Sequence, residues 1–199
     1  MRIAGVNPCS LVNGDGIRYV VFTQGCHHHC KGCQNPDTWD PKGGYDVSIY
    51  DLSADILKRW KRGQIDGITL SGGDPYYQTT ECRQLLQMLP KDLNVWIYTG
   101  FDYEYIKDDE LTSYADVIVD GKFDTSRKCK DGEPYGSTNQ RIIHIYDKKL
   151  KSGEHHRGNQ SFEATMKEWR DTKAGYERIF CSKPKKKKVE CVEEVIYGW

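Results

Sequence analysis

The chain has no excess of charge of either sign and no long hydrophobic run. Its 29 basic and 29 acidic side chains cancel, so no global field points to nucleic acid or to a membrane surface. Without an apolar stretch of membrane length, no transmembrane helix is expected. The opening residues, Met1-Arg2-Ile3-Ala4-Gly5, lack the apolar core of a secretory signal, which predicts a cytoplasmic protein. In a reducing interior the eight cysteines are not expected to form a disulfide framework. Five of them (Cys9, Cys82, Cys129, Cys181 and Cys191) are scattered singly and read as buried or incidental thiols.

The other three are not scattered. Cys26, Cys30 and Cys33 lie in the run Gly25-Cys26-His27-His28-His29-Cys30-Lys31-Gly32-Cys33, directly after the apolar Tyr19-Val20-Val21-Phe22. No fourth cysteine stands beside them. Three thiolates hold three corners of a four-iron cluster and leave the last iron free for a small molecule. Clusters that only carry electrons are usually held by four cysteines, and structural zinc sites close all four positions. On spacing alone two solutions stand: an open cluster, or zinc completed by His27, His28 or His29.

A second motif, Ser71-Gly72-Gly73-Asp74-Pro75, follows the apolar Gly67-Ile68-Thr69-Leu70. Two glycines let the backbone approach a ligand closely, and the carboxylate suits an ammonium group. As a string it is also an ordinary turn. Its surroundings decide between these. Apolar runs alternate with amphipathic ones up to about residue 120, the pattern of βα units and a parallel sheet. The patterning predicts strands over residues 18–23, 67–70, 95–98 and 116–119, with a fifth over 142–146. Helices are expected over 53–62, capped by Ser53, around Cys82, Leu85, Leu86 and Leu89 before Pro90, and over 102–113.

The cysteines, the Gly-Gly-Asp-Pro string, Tyr98-Thr99-Gly100 and Asp120-Gly121-Lys122 then all fall just past the carboxyl ends of strands. In parallel α/β folds that rim is where ligands bind. Four such segments on one rim favour a cofactor laid across an open cluster over a closed zinc site. Asp15 and Arg18 read as a surface ion pair near the rim. Residues 1–149 are expected to form one domain and 150–199 an extension, with a polar linker, a short helix over 162–173 and a hairpin whose tip is Lys183-Pro184-Lys185-Lys186-Lys187-Lys188.

With these residues in hand, the chain resembles the radical S-adenosylmethionine superfamily. Within it, the chain is similar to the activating proteins of anaerobic (class III) ribonucleoside-triphosphate reductases. The resemblance spans about residues 13–143. It is carried by Asn13-Gly14-Asp15-Gly16-Ile17-Arg18, the three cysteines, Cys33-Gln34-Asn35-Pro36-Asp37-Thr38-Trp39 and Thr69-Leu70-Ser71-Gly72-Gly73-Asp74-Pro75. Further on it includes Trp96-Ile97-Tyr98-Thr99-Gly100, Val119-Asp120-Gly121-Lys122-Phe123 and Gly136-Ser137-Thr138-Asn139-Gln140-Arg141. It implies an α/β fold, a partial, open β/α barrel of mostly parallel strands.

The resemblance also implies a [4Fe-4S] cluster held by Cys26, Cys30 and Cys33, with S-adenosylmethionine chelated to its open iron. Gly32, Cys33 and Gln34 would meet the adenine, Gly72, Gly73 and Asp74 the methionine amino end, and Tyr98, Thr99 and Asp120 the ribose or sulfonium region. The implied activity is reductive cleavage of S-adenosylmethionine to install a glycyl radical on the reductase, with electrons from a donor such as flavodoxin. Two other readings are a radical enzyme acting on a small molecule and a non-catalytic zinc or iron–sulfur module. The Asn13 and Gly136–Arg141 segments argue against the first, and the rim placement of Gly-Gly-Asp-Pro against the second.

Overall fold

A computed structural model of the chain describes residues 1–130 and 133–145. The expected extension over 150–199, its helix, hairpin and lysine run, and Cys181 and Cys191 lie outside the described residues. The fold is a seven-stranded mixed sheet with few helices. In chain order the strands are β1 (Arg2–Ser10), β2 (Arg18–Thr23), β3 (Tyr45–Asp46), β4 (Gly67–Gly72), β5 (Asn94–Tyr98), β6 (Val117–Asp120) and β7 (Arg141–His144). They lie side by side in the order β3-β1-β2-β4-β5-β6-β7. The four central strands β2, β4, β5 and β6 run parallel, while β3, β1 and β7 are antiparallel to their neighbours.

Both faces of the central strands are covered, which is why they read as continuous apolar runs. Tyr19, Val21, Ile68, Leu70, Val95, Ile97 and Ile118 point to one side, into a core shared with Leu52, Ile56, Leu57, Cys82, Leu85 and Leu86 of the helices. Trp96, Val117 and Val119 point to the other, against Tyr98, Tyr135 and Ile142.

Two of the expected helices are present, with shifted bounds. α1 spans Ile49–Lys61 and its N-cap is Ser48, whose side chain accepts from the Asp51 amide. Ser53, the expected cap, is instead buried inside the helix and donates its hydroxyl to the Tyr50 carbonyl. α2 spans Thr79–Gln87 and buries Cys82, Leu85 and Leu86 at helical spacing. The helix expected over 102–113 shrinks to α3 (Tyr103–Ile106) and a separate 3-10 turn at Thr112–Tyr114. Asp108-Asp109-Glu110 places negative charge where a helix of that length would present its own negative end. Asp109 also spends its side chain on the Leu111 amide at 2.8 Å, a local bond that competes with helix propagation.

β1 had no counterpart in the sequence reading. Pro8 and Gly5 interrupt it, and its pairing with β2 shifts register between Ile3 and Gly5 and again between Asn7 and Ser10. Such irregular strands lack the alternation that betrays a regular one. β7 begins and ends earlier than expected, and Tyr146 lies outside the described residues.

Candidate functional site

The cysteine loop leaves β2 at its carboxyl end and is tied down by main-chain bonds before any side chain is considered. Gly25 donates to the Thr38 carbonyl at 2.8 Å and Cys26 to that of Trp39 at 3.1 Å. From the neighbouring strand end, Gly73 donates to Thr23 at 2.7 Å and Asp74 to Gly25 at 3.0 Å. The glycines of the Gly-Gly-Asp-Pro string are required here for backbone against backbone. Gly72 has φ of 98°, and a Cβ on it would lie 2.6 Å from the Phe22 main chain. A Cβ on Gly73 would strike the Gly25 carbonyl.

Cys26 is buried, and Cys30 and Cys33 are half-buried. Burial pushes the Cys26 thiol up to about 11; the His28 amide offsets part of this, and Asp74, Cys30 and Cys33 add to it. Burial likewise raises Cys30, against a hydrogen bond from the Phe123 backbone. Cys33 Sγ accepts from the Asn35 amide at 3.3 Å. The pocket thus disfavours bare thiolates, and iron would supply the positive charge that stabilises them. Gly32, at φ 71°, turns the chain where a side chain would run into Thr125, so the segment after β6 packs directly against this loop. Gln34 is half-buried beside it.

Each of the three histidines has an aromatic or carboxylate neighbour. His27 meets the edge of Tyr77 with centroids 4.8 Å apart, and His29 meets Trp39 at 4.9 Å. The His28 ring lies with Nε2 2.8 Å from Asp74 Oδ2. Among the described residues, no three His, Cys, Asp or Glu side chains converge as a single-ion site needs. Three cysteines on one partly buried loop are a donor set that fits a four-iron cluster with one open iron.

Asp74 is the most heavily bonded side chain at this rim. It is 1% exposed. Besides His28, its carboxylate accepts from the Tyr76 amide at 3.0 Å, the Gly100 amide at 2.8 Å, and the Thr99 hydroxyl at 2.8 Å and 3.1 Å to its two oxygens. It also caps the 3-10 turn Pro75–Tyr77. Asp74, Thr99, Gly72, Gly73 and the cysteine loop are therefore brought together as the sequence predicts.

Tyr98 and Asp120 have other partners. The Tyr98 hydroxyl donates to the Pro134 carbonyl at 2.6 Å, and the ring stacks on Trp96. Asp120, also 1% exposed, accepts from the Tyr103 amide at 2.7 Å and from Arg141 through Nε at 3.1 Å and Nη2 at 2.5 Å. Arg141 in turn grips Glu104 with both terminal nitrogens, holding that exposed carboxyl down at about 2. The sequence reading missed the roles of His28 and Arg141: no spacing rule separates His28 from its neighbours, and Arg141 sits at the start of an edge strand.

The Asp15–Arg18 pair is a correction. Arg18 is 1% exposed, so it is no surface partner, and it opens β2 at the amino end of the sheet, away from the cysteine rim. Its guanidinium bonds the Asp15 carbonyl rather than the carboxylate, together with Thr69 Oγ1 at 3.1 Å and Asn94 Oδ1 at 2.9 Å. Burial lowers it to about 10. A cavity of about 500 Å³ lies at the same end, between Arg18, Trp96, Asp66 and Asp116.

Comparison with known proteins agrees with this geometry. Residues 12–143 match the family described as a 4Fe-4S single cluster domain. The chain is 35% identical over 147 residues to the anaerobic ribonucleoside-triphosphate reductase-activating protein of Enterobacteria phage T4, covering 71% of this chain and 93% of the phage protein. It is 36% identical over 153 residues to the protein of that name from Vibrio cholerae, covering 70% and 94%. For the Escherichia coli K12 protein the figures are 32% over 152 residues, 69% and 95%. Similarity of this extent, over nearly the whole of each relative, means that the chain belongs to the family of anaerobic ribonucleoside-triphosphate reductase-activating proteins.

Proposed function

We propose that the protein activates an anaerobic ribonucleoside-triphosphate reductase by reductive cleavage of S-adenosylmethionine, leaving a glycyl radical on the reductase. The observation that carries this reading is the trio of cysteines on one loop at the strand ends, with no fourth cysteine beside it in the sequence. Cys26, Cys30 and Cys33 would hold the cluster, whose chemistry when bound would be delivery of one electron drawn from a reductant such as a flavodoxin. That electron would break the S–C5′ bond of S-adenosylmethionine, giving methionine and a 5′-deoxyadenosyl radical. That radical takes a hydrogen atom from a backbone glycine of the reductase and becomes 5′-deoxyadenosine.

The chain's own residues bind, orient and exclude water. Gly72, Gly73 and Asp74 serve the methionine amino end, and Gly32, Cys33 and Gln34 the adenine side. Tyr98, Thr99 and Asp120 bound the ribose side, with Thr99 and Asp120 acting through the bonds described above. On this reading the open sheet is the partial barrel of a radical S-adenosylmethionine enzyme. Among the described residues the sheet does not close on itself, which leaves room for a loop of another protein and favours a protein substrate over a small molecule.

The test is anaerobic reconstitution with iron and sulfide. A four-iron cluster is expected in the wild type and none after Cys26→Ala, Cys30→Ala or Cys33→Ala, while Cys9→Ala, Cys82→Ala and Cys129→Ala keep their iron. With reductant and S-adenosylmethionine, electron paramagnetic resonance should then show a glycyl radical on a cognate class III reductase, and 5′-deoxyadenosine should be released. Stoichiometric zinc with no incorporated iron overturns the reading. Cleavage without a radical on the reductase keeps the cofactor chemistry and discards the protein substrate.

A further inference from the structure

We infer that His28 is a positioning residue that couples the cysteine loop to the cofactor-binding end of β4, through its contact with Asp74. The inference rests on the proposed function. Asp74 gathers donors from three separate parts of the chain: its own turn through Tyr76, the end of β5 through Thr99 and Gly100, and the cysteine loop through His28. Of these, His28 is the donor carried between two cluster cysteines. Its side chain is 7% exposed and that of Asp74 is 1% exposed, so the bond is shielded from water. In such surroundings a hydrogen bond to a carboxylate is stronger and its loss more costly than at the surface.

The ring has a seat built for it. Phe101 meets it edge-on, with centroids 4.5 Å apart, and Tyr77 flanks it at 5.7 Å. Gly100 leaves the space the ring occupies: a Cβ there would lie 2.5 Å from His28 Cδ2 and 2.8 Å from Nε2. Gly100 also donates its amide to the carboxylate oxygen that His28 meets. The seat and the bond together fix the loop, and with it the cluster sulfurs, in register with Gly72, Gly73 and Asp74. A cofactor held between the open iron and the end of β4 needs that register.

Three full-length variants separate the bond from the packing. Phe at position 28 keeps an aromatic ring in the seat and removes the donor. Gln places an amide nitrogen near the position of Nε2 and removes the ring. Gly100→Ala leaves every donor in place and pushes the ring aside. After anaerobic reconstitution, each is titrated calorimetrically with S-adenosylmethionine, and the reduced cluster is followed by electron paramagnetic resonance before and after addition.

Expected is a loss of affinity of about 10-fold or more in His28→Phe and Gly100→Ala, with iron content retained and the spectral change on addition blunted. His28→Gln should return to within about threefold of the wild type. A role in packing alone predicts the reverse order, with Phe the milder substitution, and that result overturns the inference. So does wild-type affinity in all three variants. Should His28→Phe fail to take up iron, the contrast between His28→Gln and Gly100→Ala decides. Failure of the cluster-loaded wild type to bind S-adenosylmethionine overturns the proposed function itself, whereas wild-type binding with unresponsive variants removes only His28.

Discussion

At the amino end of the parallel strands, buried Arg18 donates to carbonyls and to the uncharged side chains of Thr69 and Asn94, with Asp66 and Asp116 lining the cavity beside it. At the carboxyl end, Asp74 is buried among amides, a hydroxyl and an imidazole. Both groups have every side of the charged head engaged, as burial demands. They differ in what supplies the partners. Arg18 is held by Ile68, Thr69 and Asn94 of adjoining strands and by the Asp15 carbonyl just before its own strand. Asp74 is held by loops and turns that follow strands. The first arrangement locks the sheet, and the second assembles a site from segments that meet only once the sheet exists. Catalytic and binding groups commonly sit on loops positioned by such a rigid scaffold.

The sharpest way to break the comparison is Arg18→Ala. It strands the Thr69 and Asn94 side chains and three backbone carbonyls around a void, and it should cost about 3–5 kcal/mol of stability by urea unfolding. Arg18→Lys should recover little of this, because one ammonium cannot reach partners arranged around a planar fork. Whatever fraction of Arg18→Ala folds should still take up iron, since no cysteine-loop residue touches Arg18. Iron loss in the folded fraction would show that the two ends are not independent.

Asp74→Asn should act the other way. Its shape is kept, but an amide nitrogen cannot accept from the amide and imidazole donors around it, which costs about 1–3 kcal/mol. The larger consequence is expected in binding, with affinity for S-adenosylmethionine falling roughly 10–150-fold while the cluster spectrum persists. Unchanged affinity by anaerobic titration would leave Asp74 as a purely structural joint.

The smallest effect is expected at Glu104. Its carboxyl is held down from 4.5 to about 2, chiefly by hydrogen bonds from Arg141. The folded state therefore binds this proton more weakly than the unfolded chain does. The stability it confers is complete above pH 4.5 and fades as pH falls through about 2. Glu104→Gln should flatten that part of the stability–pH curve and leave neutral pH nearly unchanged, because the pair is exposed to solvent. An unaltered acid limb would mean that Asp120 alone holds Arg141.

The same contrast explains how much the chain disclosed before its structure was known. The four parallel strands were legible because both faces are buried and their apolar runs are unbroken, as in Tyr19-Val20-Val21 and Ile118-Val119. The convergence of Cys26, Gly73, Asp74 and Thr99 at one rim followed from counting strand ends. β1 was not legible, since Gly5 and Pro8 disrupt its pattern and its partner supplies the register. Arg18 misled because a charged residue three positions from an aspartate looks like a surface pair, and only strand pairing with β4 reveals that it is enclosed. The partners of Asp120 were hidden for a similar reason. Tyr103 and Arg141 are remote from Asp120 in sequence, and antiparallel pairing of Asp120 with Arg141 brings the second of them to it.

The close approach of Gly25 and Gly73 has a practical consequence for redesign. The Asp74 amide meets the Gly25 carbonyl at 3.0 Å, and a side chain on Gly73 would reach 2.9 Å from the Gly25 carbonyl carbon and 3.0 Å from its nitrogen. Two positions nearly fifty residues apart in the chain thus behave as a single letter of the sequence. A library that varies one while holding the other fixed would sample mostly unusable chains, so efforts to retune this rim should begin from its other side chains and leave that pair as written.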